Sequence, residues 1–448
     1  MIQNLSANRA EQASFYRFLK NKKVTLTQLT TQLQTACIQN MIAGHYLALQ
    51  DTTEINLERH TGRLNHNKSG LGVVGNNKDT GFFLHPSLLF NPTTKAFIGF
   101  TSTQLWTRDP NRPKERDKTY PKLRITQKES NKWLQAAQDT SLCLKQAKTL
   151  LETQTNSTNS TSPELQITMV SDRESDIYAY FNQCPEDLNV LVRVCHDRIV
   201  EIEDETGKRQ GLYEYLRNCE TQGNYELNIS NDKQKKRTAR VAKMEVRFAQ
   251  VKLPPPRKGK GSRVAVSVIE AREQASSVPA GEQPIVWRLM TTHEVLDLSM
   301  ALTVISWYVC RWLIETFFAS LKGSGLLLER SELEDGMALQ RLTLLALPTA
   351  LRVMQLQVGR EDEVSLAGRV FSEAELSVVV KVMGKFEGKT VALKNPFLEL
   401  SLAWVTWLIA RLGGWMGYAS QRPAGVLTLT RGLRRFEGMV LAFELFRE

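Results

Sequence analysis

Four side chains pose the chemical question: Tyr308, Arg311, Glu315 and Lys322, separated by three, four and seven positions. At about 100° per residue they fall within roughly 60° of arc on a helix. The spacing therefore predicts one polar stripe holding a carboxylate, two cations and a phenol. Leu313, Ile314, Phe317, Phe318 and Leu321 fill the positions between, so the stripe is narrow and the helix is expected to be buried. Gly323 and Gly325 follow at once, as helix-ending residues do, and Lys322 falls in the last turn, where the helix dipole favours a cation. A carboxylate flanked by cations suits a site that holds a metal ion and a phosphodiester together. The competing reading, a solvated amphipathic helix with fortuitous charges, sits poorly with so apolar a surround.

Two further acids have a common setting. Asp51 closes the apolar segment Tyr46-Leu47-Ala48-Leu49-Gln50, and Asp172 follows Leu165-Gln166-Ile167-Thr168-Met169-Val170 and Ser171. Each is placed at the carboxyl end of a short buried strand, where α/β folds gather their sites. Taken singly, either aspartate is more often a turn or helix-capping residue. With Glu315 the two make an all-oxygen donor set, which suits Mg2+ or Mn2+ and not zinc. A pair of such ions activates a water or hydroxyl and stabilises the leaving oxygen of an in-line phosphoryl displacement.

The elements that must position these residues can be read from periodicity. Residues 7–40 read as helical, and the glycine-rich residues 68–76 as a loop. Gly81–His85 and Ala96–Phe100 read as further strands of an antiparallel meander. Lys128–Leu151 reads as a helix, followed by a Ser/Thr/Asn-rich loop at 154–162. Ser175–Tyr180 begins another helix, and Asn189–Val194 a third buried strand. Between about 200 and 285, short alternating segments such as Tyr225–Ile229 and Val264–Val268 flank two basic clusters, Lys233–Arg237 with Arg240 and Lys243, and Arg257–Lys260 with Arg263. This texture predicts an all-β insertion with basic loops. From about 295 onward the pattern is mainly helical. It includes a Leu- and Ala-rich stretch, Leu342–Leu356, kinked at Pro348, and a closing segment with Trp404, Trp407, Trp415 and Phe436.

At 448 residues the chain exceeds one ordinary core. Lys and Arg number 58 against 47 acids, a net charge of +11, which favours polyanionic partners, nucleic acid above all. The six cysteines (Cys37, Cys143, Cys184, Cys195, Cys219, Cys310) contain no CxxC pair. Their scatter argues against a zinc site or disulfide framework and for a reducing compartment. The first nine residues lack the basic-then-apolar layout of a signal peptide. No unbroken apolar run reaches the roughly 18 residues of a membrane span, so the expected location is cytoplasmic and no membrane partner is expected.

Three blocks then carry a resemblance. Leu49-Gln50-Asp51-Thr52-Thr53 and Ser171-Asp172-Arg173-Glu174-Ser175-Asp176-Ile177-Tyr178-Ala179-Tyr180 look like the two aspartate blocks of the bacterial cut-and-paste DDE transposases of the insertion-sequence-four family. Tyr308, Arg311, Glu315 and Lys322 fit that family's Tyr-Arg-Glu-Lys signature at unbroken spacing. The resemblance runs through Lys128–Trp133 and on to Ala410–Met416, over nearly the whole chain. It implies an α/β fold: a ribonuclease-H-like catalytic core interrupted by a β-rich insertion, with helical N-terminal and C-terminal segments. The implied divisions are residues 1–40, a partial end-binding module; 41–200, the first part of the core; 201–290, the insertion with its basic loops; 291–385, the rest of the core with the signature helix; and 386–448, a dimerisation region.

By the same resemblance, Asp51, Asp172 and Glu315 are the catalytic residues and hold Mg2+ (or Mn2+), while Tyr308, Arg311 and Lys322 grip phosphates. Family members cut through a DNA hairpin, which requires a flipped base resting on tryptophan, and Trp287 and Trp312 match those places. Flipping costs a few kcal/mol, which stacking on an aromatic face can offset. The bland alternative for both tryptophans is core packing. The implied activity is metal-dependent cleavage at transposon ends and strand transfer into target DNA, by a homodimer on double-stranded DNA in the bacterial nucleoid. Family chains carry a further helical stretch ahead of the matching region, so the chain reads as N-terminally short. That feature favours a rival expectation, a non-catalytic inhibitor or remnant that forms heterodimers with the full-length enzyme. A general nuclease of the same fold is a third.

Overall fold

The structure is a computed structural model that describes residues 8–62, 64, 69–109, 111, 120–154, 164–202, 207–232, 237–256, 261–323, 325–418 and 421–446. It is mixed α/β. Helices α1 (Arg9–Lys20) and α2 (Leu26–Gln39) come first, the second closed by a reciprocal cap between Thr25 and Gln28, so the expected N-terminal helical stretch is divided by a five-residue turn. Strands β1 (Gly44–Gln50), β2 (Thr53–Asn56), β3 (Gly72–Val73), β4 (Thr80–Asn91) and β5 (Ala96–Trp106) follow, then helix α3 (Asn131–Gln154). Next come β6 (Leu165–Ser171), α4 (Tyr178–Gln183), β7 (Asn189–Arg193), β8 (Ile199–Ile202), β9 (Arg209–Gly211) and α5 (Leu212–Asn218). Strands β10 (Gly223–Ile229), β11 (Arg240–Leu253), β12 (Val264–Glu273) and β13 (Val286–Thr291) precede a helical run. That run is α6 (Leu298–Val309), α7 (Trp312–Lys322), α8 (Gly336–Val358), α9 (Glu373–Phe386), α10 (Leu402–Leu412) and α11 (Val426–Leu445).

The chain divides into two compact units: residues 41–51 with 113–312, and residues 1–40, 52–112 and 313–448. In the first, β1, β6 and β7 are parallel neighbours, and the sheet continues antiparallel through β13, β12 and β11. Strands β8 and β10 both pair with β11, and β9 pairs with β8. Tyr46, Leu47, Ala48 and Leu49 of β1 are wholly buried, as are Met169 and Val170 of β6. Such continuous apolar runs belong to parallel strands covered on both faces. Strand β11 instead alternates buried with more exposed residues, and β10 half-buried with exposed ones, the mark of a sheet with one wet face. Helix α5, with Leu212 and Leu216 buried one turn apart, corrects the expectation that this region is purely β.

In the second unit β4 is the central strand, pairing antiparallel with β2, β3 and β5. Helix α8 runs unbroken through Pro348. Its buried Arg341 donates to the carbonyls of Leu19 and Val24, tying α8 to α1 and the turn after it. Ten of the eleven residues of α10 are buried. Helix α11 packs on it so closely that a Cβ at Gly432 would lie 1.8 Å from the Ile409 carbonyl oxygen, so only glycine fits that crossing.

Two of the sequence readings bear on apolar helices and on basic loops. Leu298–Lys322 and Gly336–Glu361 each reach a mean hydropathy of 1.2 over 18 residues, long and apolar enough to span a membrane by length and composition alone. An unbroken-run criterion missed them because Ser, Thr, Trp and Tyr interrupt the aliphatic residues without lowering the average much. The second stretch is a core helix, 61% buried, with Gln340, Arg341 and Thr343 inside the protein. As for the basic clusters, residues 233–236 and 257–260 lie outside the described residues. The arginines beside them are engaged within the fold: Arg240 pairs with Glu273 and Glu282 at 2.8 and 2.7 Å, and Arg263 with Glu201 at 2.9 Å. Residues 155–163 of the Ser/Thr/Asn-rich loop are likewise outside the described residues.

Candidate active site at the strand ends

The parallel ladder of β1 and β6 runs in register from Gly44 opposite Leu165 to Leu49 opposite Val170. Continued by two places, it brings Asp51 opposite Asp172, each just past the end of its strand. Neighbouring strands lie about 4.8 Å apart, so the chain sets the two aspartates at adjacent strand ends. Asp172 keeps an extended backbone and its Oδ1 accepts the Glu174 N–H at 2.9 Å, fixing the carboxylate at the head of a short 3-10 turn. Burial raises its pKa above the ordinary carboxylate value; the Glu174 N–H, Arg311 and Lys132 oppose the rise, and the Glu174 charge adds to it.

Arg311 is the counter-charge. Its Nη1 lies 3.2 Å from Asp51 Oδ2, its side chain is 8% exposed, and its charge also acts on Asp172. The positive charges of Arg311 and Arg193 both act on the Tyr308 hydroxyl, opposing the rise in its pKa. Arg193 was not foreseen from sequence. It sits at the end of β7 and reaches along β13 to the Val286 carbonyl at 3.4 Å. No local spacing links positions 193 and 308; a lone arginine ending a buried strand was the available signal. Burial raises the Tyr308 pKa, which keeps the phenol protonated and able to donate.

The single-helix stripe is not what forms. Helix α6 ends at Val309, and Cys310 and Arg311 make a tight turn before α7 begins at Trp312. The Arg311 N–H bonds the Tyr308 carbonyl at 3.1 Å, an i to i−3 bond in place of i to i−4. Residues three apart eclipse in such a turn, so Tyr308 and Arg311 stack, with the guanidinium carbon 5.9 Å from the ring centre. A buried guanidinium requires a paired acid, and the turn aims this one at Asp51. Periodicity cannot register that demand. The expectation of burial holds for Tyr308 and Arg311, but Glu315 is exposed.

Trp312 is 48% exposed and presents its ring 5.0 Å from the Arg311 guanidinium carbon, so core packing does not account for it. Trp287 lies opposite Ala271 on β13, half-buried. It shares a sheet face with Leu289, whose cross-strand partner is Arg193, since alternate residues of a strand face the same way.

Glu315 and Lys322 belong to the other unit. They lie two turns apart on α7, and Lys322 Nζ contacts Glu329 at 3.3 Å and the Thr53 hydroxyl at 3.3 Å. The glycines expected to end the helix do so: α7 stops at Lys322, and a Cβ at Gly325 would meet the Ser320 carbonyl oxygen at 1.8 Å.

As a metal site, the Asp51–Asp172 pair offers oxygen donors alone, which fits a hard divalent cation. Among the described residues no group of three or more His, Cys, Asp or Glu side chains is gathered to hold a metal ion. The pair supplies two ligands, with an arginine as the present counter-charge. No model of a known protein family matches the chain.

Proposed function

We propose that the chain is a divalent-metal-dependent DNA transposase with a ribonuclease-H-like core, of the cut-and-paste DDE type its motifs resemble, acting in the bacterial cytoplasm at the nucleoid. The observation that carries this reading is the pairing of Asp51 with Asp172 at adjacent parallel strand ends, with Arg311 bonded to one and acting on the other. Asp51, Asp172 and, by the resemblance, Glu315 would hold Mg2+ (or Mn2+). When bound, the metal supplies an activated water or 3′-hydroxyl and stabilises the leaving oxygen.

The remaining roles belong to the chain's own groups. Arg311, now on Asp51, exchanges that partner for an incoming phosphate, which leaves the Asp51 carboxylate to face a cation. The Tyr308 and Trp312 rings, 5.9 and 5.0 Å from the guanidinium carbon, limit its movement, so the phosphate meets a planar fork and not a flexible point charge. Lys322 adds a second positive contact to the phosphate chain. The exposed face of Trp312 accepts an unstacked base next to that grip, and Trp287 is the second stacking surface. Two such chains act together on double-stranded DNA, cutting element ends through a hairpin and joining them to a target.

Glu315→Gln tests the assignment. It is expected to abolish metal-dependent cleavage of element-end DNA while leaving binding of that DNA intact; cleavage at the normal rate would remove Glu315 from the site.

A further inference from the structure

Strands β11, β12 and β13 carry two ion clusters of unlike balance. In one, Arg240 lies between two acids: its Nε and Nη2 donate to the Glu273 carboxylate at 2.8 and 2.9 Å, and its Nη1 to Glu282 at 2.7 Å. In the other the ratio is reversed. Glu270 of β12, 0% exposed, is approached by Arg272 at 2.9 Å, Arg288 at 2.6 Å and Arg247 at 3.8 Å. The strand register gathers them. Arg247, Glu270 and Arg288 lie directly opposite one another on the three strands, and Arg272 is two places along β12. All four side chains therefore leave the same sheet face, and Trp287, one place before Arg288, leaves the other.

The charges of this cluster do not cancel. Glu245 pairs with Arg247 at 2.8 Å, and Arg247 Nε donates to the Cys219 carbonyl at 3.1 Å. Two carboxylates then stand against three guanidinium groups. A buried carboxylate requires a cation, but one suffices; the further arginine adds like-charge repulsion unless an anion meets it. The surplus faces outward, with the Arg272 and Arg288 side chains 29% and 18% exposed. Arg288 gives only its Nε–H to Glu270, and its guanidinium carbon lies 3.9 Å from the centre of the Tyr213 ring. Among the described residues its two terminal nitrogens make no hydrogen bond, and neither does Arg272 Nη1. A guanidinium held at Nε by a buried acid and backed by a ring presents its far edge as a fork that suits a phosphate.

We propose that Arg272 and Arg288 form a second phosphate-binding position, for the backbone of DNA, on the sheet face opposite Trp287. The net charge of +11 favours a polyanion over a free anion, and the choice of DNA rests on the proposed function. The phosphate held here belongs to a different stretch of backbone from the one that Trp287 and the strand ends engage.

The test is the salt dependence of binding to a duplex unrelated to element ends, measured without divalent metal so that no cleavage enters. Arg288→Gln and Arg272→Gln are each expected to lower the log–log slope by about one unit and to weaken binding equally for element-end and unrelated DNA. In each variant the other arginine still holds Glu270, so either one serves if its companion does not fold. Arg240→Gln, which breaks ion pairs already balanced by acids, is expected to leave the slope unchanged. An unchanged slope in the folded Arg288 and Arg272 variants, or an equal loss in Arg240→Gln, would overturn the proposal. So would loss of inorganic phosphate binding with the DNA slope intact, which would make the occupant a free anion. Lowered slopes in a protein that never cleaves element ends would uphold the phosphate position and reject the transposase reading; cleavage with unchanged slopes would do the reverse.

Discussion

The strand ends of β1 and β6 and the α10–α11 core are equally buried and opposite in character. Ten of the eleven α10 residues are buried, and Leu408, Ile409 and Val405 among them are wholly excluded from water. Apart from Thr406 and from Arg411, which donates to the Phe386 and Trp415 carbonyls near the helix end, that helix offers volume and shape alone. At the strand ends, by contrast, Gln50, Ser171, Ser175 and Asp176 are all buried within a few residues of the two aspartates, and the buried Arg311 pairs with one of them. Asp176 accepts from the Cys195 N–H at 2.7 Å and pairs with Arg198, pinning the loop after Asp172 to the segment after β7. Both regions are well packed, but only one pays in desolvation for its composition. That difference marks where function is to be sought.

Substitutions can break the comparison. The largest effect is expected for Asp172→Ala: loss of cleavage by at least about a thousandfold with the fold retained, since a group acting in the transition state is removed and not a packing contact. Residual cleavage within tenfold of wild type would put the aspartates on the same footing as the α10 core. Arg311→Ala should cost about 1–3 kcal/mol in denaturant unfolding, because it leaves the half-buried Asp51 and Asp172 without their cation. It should also flatten the salt dependence of DNA binding by about one unit of log–log slope. Leu408→Ala should cost about 2–5 kcal/mol through the cavity it leaves, with cleavage per folded molecule unchanged. A fall in specific activity matching that of Arg311→Ala would erase the distinction between the two regions.

A further effect concerns pH. His45 Nε2 and His293 Nε2 lie 2.8 and 2.7 Å from the Thr168 hydroxyl, one ring donating and the other accepting, and both rings lie against Trp307. Burial pushes both pKa values down to about 4 from the ordinary 6.5. The unfolded chain therefore binds protons that the folded chain refuses. Their contribution is intact above about 6.5 and is lost as pH falls towards 4, at about 1.4 kcal/mol per pH unit for each ring. Unfolding free energies flat from pH 6.5 to 4.5 would contradict this. Smallest for stability is Trp312→Ala, within about 0.5 kcal/mol for so exposed a ring. Together with Trp287→Ala, it should block hairpin formation more than the first nick.

Much of this was legible in the sequence, for identifiable reasons. Strands β1 and β6 announce themselves as unbroken apolar runs, and the acid after each follows from where such runs stop. The hairpin of β4 and β5 was visible but extends well past Gly81–His85 and Ala96–Phe100, because His85, Ser87, Thr101 and Ser102 are polar yet buried in its pairing. The break between α6 and α7 was hidden because it answers the needs of one buried guanidinium and not a periodicity. Arg193 was invisible for a related reason. Its partner, Tyr308, lies more than a hundred positions away, and no local pattern encodes a long-range contact. The β-rich region read as carrying basic loops, and the pairing of Arg240 with Glu273 and of Arg263 with Glu201 is another long-range match that no local pattern encodes.

The most direct test of the central claim is cleavage of a supercoiled plasmid carrying the inverted repeats that flank this gene, with and without Mg2+, by the wild-type chain and by Asp172→Ala. The expected result is cutting at the repeat ends that requires both the metal and Asp172. Metal-dependent cutting by Asp172→Ala at the wild-type rate, or none by either protein in Mg2+ or Mn2+, would contradict the assignment of the strand-end aspartates as the active site of a transposase.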